Sequence, residues 1–329
     1  MPDVSMEPQV SVIIPVYNSS DFIGRCCDTL FGQTLQSIEY IFVDDGSSDE
    51  SLCIINQVLD KYPSRRNQVV FVSYQKNRGV GVARNAGIKR ATGEYIIHCD
   101  SDDWVESSLY EKLYLRAKGT NADVVTCGYF VDAADGTRSS ETPPLVNVDP
   151  LSFSISPQTG ALWTKLIRRG FLEEHHLDVP LDINWGEDLC LSLEALLLSR
   201  NTQSINEILY HHVLNEDSLT YSVSVAQCLD LVKCGSVVEN YLNEHGLLDK
   251  YSFQLNWLKF QLKQYLLIFP QTRDVNLWNS IYPECHQHIL QYQTMTYLKV
   301  SAWLIVHHLK AFALIVLKLR DYLSPLKNR

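Results

Sequence analysis

Apolar runs and amphipathic stretches alternate over the first third of the chain. Val10 to Val16 (VSVIIPV) is rich in β-branched residues and has no polar face, the pattern of a strand buried on both sides. Asp21 to Phe31 reads as a helix and Glu39 to Val43 as a second buried strand. That strand ends in Asp44-Asp45-Gly46-Ser47-Ser48-Asp49-Glu50. This stretch predicts a turn and a capping box of Ser47 with Glu50, opening a helix to about Tyr62. Gln68 to Ser73 predicts a third strand, Val80 to Ala91 a helix with small residues on one face, and Tyr95 to Cys99 a fourth strand. Ser107 to Lys118 predicts a helix and Val124 to Phe130 a fifth strand. Such alternation predicts an α/β fold with a doubly wound, mostly parallel sheet, which places ligands beyond the carboxyl ends of the strands.

The pattern then breaks. Val131 to Pro157 is rich in Gly, Ser, Thr and Pro and predicts an irregular excursion. Order resumes near Trp163, and Asn184-Trp185-Gly186-Glu187-Asp188 leads into an apolar helix, Leu189 to Ser199. Beyond about Val223 the pattern is helical. The divisions this suggests are an α/β unit over 1–220, a helical region over 221–296 and a basic tail over 297–329.

Charge sharpens the picture. The net charge of −10 argues against nucleic-acid binding. Nine scattered cysteines, none in CxxC spacing, read as reduced core thiols of a cytoplasmic protein. The N-terminus lacks the basic-then-apolar pattern of a secretory signal. From Tyr297 onward, however, six Lys or Arg face one acid, Asp321, so a +5 tail follows a body of −15. On a continuous helical wheel, Lys299, His307, Lys310, Lys318 and Asp321 share one arc of about 100°. Leu304, Ile305, Leu309, Phe312, Ile315, Val316 and Leu319 lie opposite. The run is too interrupted to span a bilayer. It suits an in-plane helix on an anionic membrane surface, with packing on the body as the alternative.

The candidate chemistry sits in Asp100-Ser101-Asp102-Asp103, directly after a buried strand. On extended backbone, Asp100 and Asp102 point the same way and offer hard oxygens to Mg²⁺ or Mn²⁺, which fill their shells with substrate phosphates. A divalent cation would relieve the repulsion among the three aspartates. A second acidic turn, Asp44-Asp45, falls on the same rim, and Asp45 could cap that turn or the helix that follows. Gly79-Val80-Gly81 follows the wrong strand for a dinucleotide loop.

VSVIIPVYNSS, EYIFVDDGSSDES, NRGVGVARNAGIKRATGEYIIHCDSDDWV and WGEDLCLS, in this order, resemble the inverting nucleotide-sugar glycosyltransferases of family 2, with a GT-A fold. The resemblance covers residues 9 to 220. It implies a nucleotide pocket lined by Pro15, Val16 and Tyr17, with Asp45 on a uracil and Arg84 near the diphosphate. It makes Asp102 the direct metal ligand, with Asp100 beside it toward the ribose or a metal-bound water. Asp188 becomes the general base and Glu187 its rival, while Trp185 either stacks on an acceptor ring or packs in the core. The donor is then a UDP-sugar and the acceptor a saccharide or lipid-linked hydroxyl in cell-surface polysaccharide synthesis, at the inner face of the membrane. A sugar-phosphate nucleotidyltransferase and a non-catalytic sugar-nucleotide-binding scaffold are the alternatives. In ALWTKLIRR, Lys165 reads as a solvated lysine rather than a phosphate contact. YHHVLNEDSLT carries Val213 where the family usually has an arginine. His211 and His212 there read as strand-end residues, with a metal or phosphate contact as the alternative.

Overall fold

The structure, a computed structural model, describes residues 7–133, 136–141, 151, 157–215 and 223–323. Much of the predicted excursion after Val131, part of the segment after Val213 and residues 324–329 lie outside the described residues.

The strands are β1 (Val10–Val16), β2 (Ile38–Asp44), β3 (Val69–Ser73), β4 (Tyr95–His98), β5 (Trp104–Val105), β6 (Val124–Asp132), β7 (Arg138–Glu141), β8 (Lys165–Arg168) and β9 (Thr202–Val213). The helices are α1 (Ile23–Phe31), α2 (Ser51–Leu59), α3 (Val80–Arg90), α4 (Leu109–Thr120), α5 (Pro157–Gly160), α6 (Arg169–Glu174) and α7 (Glu187–Leu198). The C-terminal helices are α8 (Val225–Glu244), α9 (Leu248–Lys263), α10 (Tyr265–Ile268), α11 (Val275–Ser280), α12 (Thr296–Val306) and α13 (Lys310–Leu323).

The strands form one sheet in the order β3-β2-β1-β4-β8-β6-β9-β5, with β7 on β6. The four predicted N-terminal strands are parallel, so their carboxyl ends share one rim. The fifth predicted strand, β6, does not extend that block. β8 lies between β4 and β6, antiparallel to both, which makes the sheet mixed.

β1 shows why the apolar run has no polar face. Val10, Val12, Ile14 and Val16 pack toward α1, α2 and α4, while Ile13 packs toward α3, α6 and α7. The strand's period of two thus fills two cores. α7 is apolar nearly all round for a similar reason. Leu191 and Ala195 join the sheet core, and Leu189, Cys190 and Leu193 join a second core with α8 and α9.

The predicted capping box is absent. Glu50 makes no side-chain cap, and Asp49 accepts the Ser51 N–H (3.0 Å) and hydroxyl (2.6 Å) instead. Asp49 also takes the Ser20 N–H, so one carboxylate ties the α2 start to the loop after β1. The nine thiols are free, and all but Cys53 are buried.

The small-residue face of α3 lies directly on β1, where a Cβ at Gly87 would run into the Ile13 side chain. Gly87→Ala is therefore expected to destabilise the fold by about 1–3 kcal/mol despite alanine's better helix propensity. An unchanged guanidinium unfolding midpoint would refute that packing.

The basic tail is two helices rather than one. The backbone breaks at His307–Leu309, with His308 in the left-handed region (φ 64°). Leu298, Ala302, Ile305, Ala313 and Leu317 are buried against the helical body. Among the described residues no helix is long and apolar enough to cross a membrane.

Candidate active site

The site is built on the rim where β1, β2 and β4 end. After β2, the Asp44 carboxylate accepts the Ser47 N–H (3.0 Å) and makes the turn. Asp45 is 3% exposed, and its two oxygens accept the N–H groups of Arg78 (2.9 Å) and Gly79 (2.8 Å). It thereby pins the start of α3 to the rim, the turn-and-cap role. Its own N–H donates to the Val16 carbonyl (2.8 Å). Val16 belongs to the core, so its side chain does not line a pocket, and Pro15 is half-buried in the same strand. Tyr17 is different, a residue 49% exposed at the end of β1.

After β4 the backbone turns, with the Asp103 N–H donating to the Asp100 carbonyl (3.2 Å). The extended geometry expected for Asp100 and Asp102 is thus replaced by a turn, which still gathers the acids. Asp103 is fully buried and spent inside the protein. It accepts the Tyr210 hydroxyl (2.7 Å) and the Val213 N–H (2.8 Å), and lies 3.3 Å from His212 Nδ1. Asp100 pairs with Arg84 Nη2 (3.0 Å). Asp102 is half-buried and takes only the Asn215 amide (2.7 Å) among the described residues. Burial, then Asp103 and Asp100, push its carboxyl up to about 7.

Arg84 joins this turn to the start of α7. Its Nε lies 3.3 Å from Glu187, and both side chains are 6% exposed. Nη1 is buried and has no partner among the described residues. Burial opposes the guanidinium charge, but Asp100, Glu187 and Asp188 outweigh it and hold Arg84 charged. Gly186 enters α7 at φ +92°, and a side chain there would strike Leu231. Glu187 and Asp188 then occupy the first turn, favoured by the positive end of the helix. The two acids diverge. Glu187 turns inward to Arg84, and burial and then Asp188 raise its carboxyl to about 7 against the offset of Arg84. Asp188 is half-buried and accepts the Leu189 N–H (2.8 Å), and burial raises its pKa above the ordinary value while Arg84 opposes.

Residues 11–168 match the family model described as glycosyl transferase family 2. The chain is 30% identical over 295 residues to the cholesterol galactosyltransferase of Borreliella burgdorferi, covering 85% of this chain and 79% of that protein. The chain belongs to glycosyltransferase family 2. It is also 33% identical over 221 residues to the putative glycosyltransferase EpsH of Bacillus subtilis, covering 64% of this chain and 62% of that one, so the match spans less than two thirds of EpsH. The crystal structure of S. aureus TarS 1–349 in complex with UDP-GlcNAc shares the GT-A type of fold, with a TM-score of 0.69 at 19% identity. That comparison covers 98% of this chain and 93% of that one.

Against that family pattern, the side chains divide into those the rim gathers and those it does not. Arg84, Asp100, Asp102, Glu187 and Asp188 form one charged network. Trp185 packs edge-on against Tyr265 (5.5 Å) at the helical core, and Glu187 is held by Arg84. Lys165 is fully buried rather than solvated. It donates to the Ala161 carbonyl (2.7 Å) and the Thr164 hydroxyl (3.2 Å), and burial lowers its pKa to about 7, with Asp188 opposing. A lysine in a strand-like pattern carries no sign that its end is buried. His211 is buried between Asp132 and Glu106 and stacked on Trp104 at 3.3 Å, so its two ring nitrogens are spent on those acids. His212 stacks on Trp163 (5.6 Å). Burial disfavours its charge, yet Asp103, Asp100 and Asp102 raise it to about 9. A protonated His212 therefore puts a positive charge one residue before Val213. Tyr210 also went unread in the sequence. Its hydroxyl accepts the Asp100 N–H (3.1 Å) while donating to Asp103, which locks the turn.

This answers how three adjacent acids coexist. Arg84 offsets Asp100, and His212 offsets Asp103. Among the described residues Asp102 has no ion pair of its own. Among the described residues no three His, Cys, Asp or Glu side chains converge as a self-sufficient metal cage. The Asp102 carboxylate, a hard oxygen donor short of positive charge with Asp100 beside it, fits Mg²⁺ or Mn²⁺, which take most of their shell from phosphate and water.

Proposed function

We propose that the chain transfers a sugar, with inversion, from a UDP-sugar to a hydroxyl of a saccharide or lipid-linked acceptor in cell-surface polysaccharide assembly. One observation carries this reading: Arg84 bridges Asp100 of the acidic turn and Glu187 beside Asp188, so donor-side and acceptor-side acids share a single buried cation. The UDP-GlcNAc held by TarS on the same fold supports the choice of donor.

In this mechanism Asp188 removes the acceptor's proton. Its raised pKa makes it a stronger base than a solvated aspartate, and the Leu189 N–H fixes one oxygen so that the other is free to work. Arg84 keeps Glu187 turned away and offers Nη1 to the donor's phosphates. Asp102, with Asp100, would hold Mg²⁺ or Mn²⁺, which when bound neutralises charge on a leaving diphosphate. Tyr17 supplies an exposed face for the base. Asp45 contributes by pinning the start of α3 beside the site.

Thermal melting with UDP-, GDP-, dTDP- and CMP-sugars, each with Mn²⁺, tests the donor. A UDP-sugar at about 100 times its Kd is expected to add about 2.7 kcal/mol, a rise of several degrees. Chelation or Asp102→Asn should remove most of that rise. The proposal is lost if no UDP-sugar moves the melting temperature, or if the shift survives both treatments.

A further inference from the structure

The outer face of α13 has no partner. Phe312, Ile315, Leu319, Tyr322 and Leu323 lie along one side of this helix, each more than half exposed. They recur every three or four residues, so they form one stripe rather than scattered exceptions. The opposite side is anchored. Ala313 and Leu317 are buried in the helical core, and Lys310 donates to Asn276 (2.7 Å). Asp321, the one acid of the tail, is turned inward and bound by both ends of the Arg273 guanidinium (2.9 and 3.3 Å). The exposed stripe is therefore apolar, free of acids and edged by exposed Lys318.

We propose that this face of α13 seats the protein on an anionic lipid surface. The stripe enters the headgroup boundary, Tyr322 sits at its polar edge, and the basic tail meets the lipid charge. Charge selects this occupant over a second copy of the chain. A symmetric pair joined through α13 would set one +5 tail against another, like charge on like, whereas an anionic surface meets that tail with opposite charge. An anionic bilayer attracts the tail, and the firmly docked inner side of α13 lets the outer side bind without unfolding. The inference stands apart from the sugar-transfer reading.

Removing residues 297–329 would strip Leu298, Ala302 and Ile305 from the core, so point changes on the exposed stripe make the cleaner test. The full chain and its Phe312→Gln/Ile315→Gln/Leu319→Gln variant are sedimented with vesicles of phosphatidylcholine alone or mixed with phosphatidylglycerol. The parent chain is expected to pellet with the anionic vesicles and to be released by salt. The variant, with an unchanged melting temperature, should partition about tenfold less or weaker still. Equal pelleting of the variant, equal binding to neutral vesicles, or failure of the parent chain to bind overturns the proposal. So does a dimer in sedimentation equilibrium that the variant dissociates without any vesicle binding. Vesicle binding in a chain that transfers no sugar would refute the proposed activity alone.

Discussion

Asp188→Asn is expected to lower sugar transfer about 1000-fold while leaving UDP-sugar affinity within about twofold. The amide keeps the size of the carboxylate and can still accept the Leu189 N–H, so the start of α7 should stay in place. What it loses is the ability to take a proton. A 1000-fold loss corresponds to about 4 kcal/mol in the barrier. The remaining site would continue to bind donor, because Arg84 retains both Asp100 and Glu187. The pH dependence should follow. The base must be ionised, and burial holds the Asp188 carboxyl above its ordinary 3.8. Transfer by the parent enzyme should therefore rise with pH along a limb lying above the usual aspartate range, and the variant's residual rate should lack that limb. Glu187→Gln is the discriminating partner. Were it to abolish transfer while Asp188→Asn kept a tenth or more of the rate, the two acids would have to exchange roles.

The sequence made that choice legible only in part. Glu187 and Asp188 are adjacent and chemically alike, and helical geometry alone says only that they point apart. The arginine that claims one of them stands 103 positions away. Long-range pairing of this kind leaves no local pattern. The same limit explains the sheet. β1, β2 and β4 were readable because an apolar β-branched run of that length has few other fates. The insertion of β8 between β4 and β6 was not, since a four-residue strand does not announce its neighbours. At the acidic turn the extended backbone read from the strand pattern gives way to a turn after β4, and Asp103 is taken up by Tyr210 and His212 inside the protein. The tail differs too. A single wheel drawn through His307–Leu309 mixed buried Ile305 with exposed Phe312, because the left-handed kink at His308 resets the phase.

Arg84→Met should prove the most destabilising single change at this site. Arg84 is almost fully buried and compensates Asp100 and Glu187 together, so removing it leaves two acids facing low-dielectric surroundings with no cation of their own. Breaking a buried pair in this way costs about 3–5 kcal/mol, and Arg84→Lys should fall between, since one ammonium cannot reproduce a fork that meets both carboxylates. The loss should depend on pH in a definite direction. Glu187 already titrates at about 7 in the folded chain against 4.5 ordinarily, because burial and Asp188 outweigh Arg84. Between those values the folded state holds the extra proton, so stability is full below about 4.5 and declines as pH rises toward 7. Without Arg84 the carboxyl is pushed higher still, and the decline extends to higher pH. Chemical denaturation at pH 6 and pH 8 should therefore show a wider gap between parent and variant at pH 8. A gap that is absent, or that narrows at pH 8, would mean that Arg84 does not carry the charge balance on which both halves of the site depend.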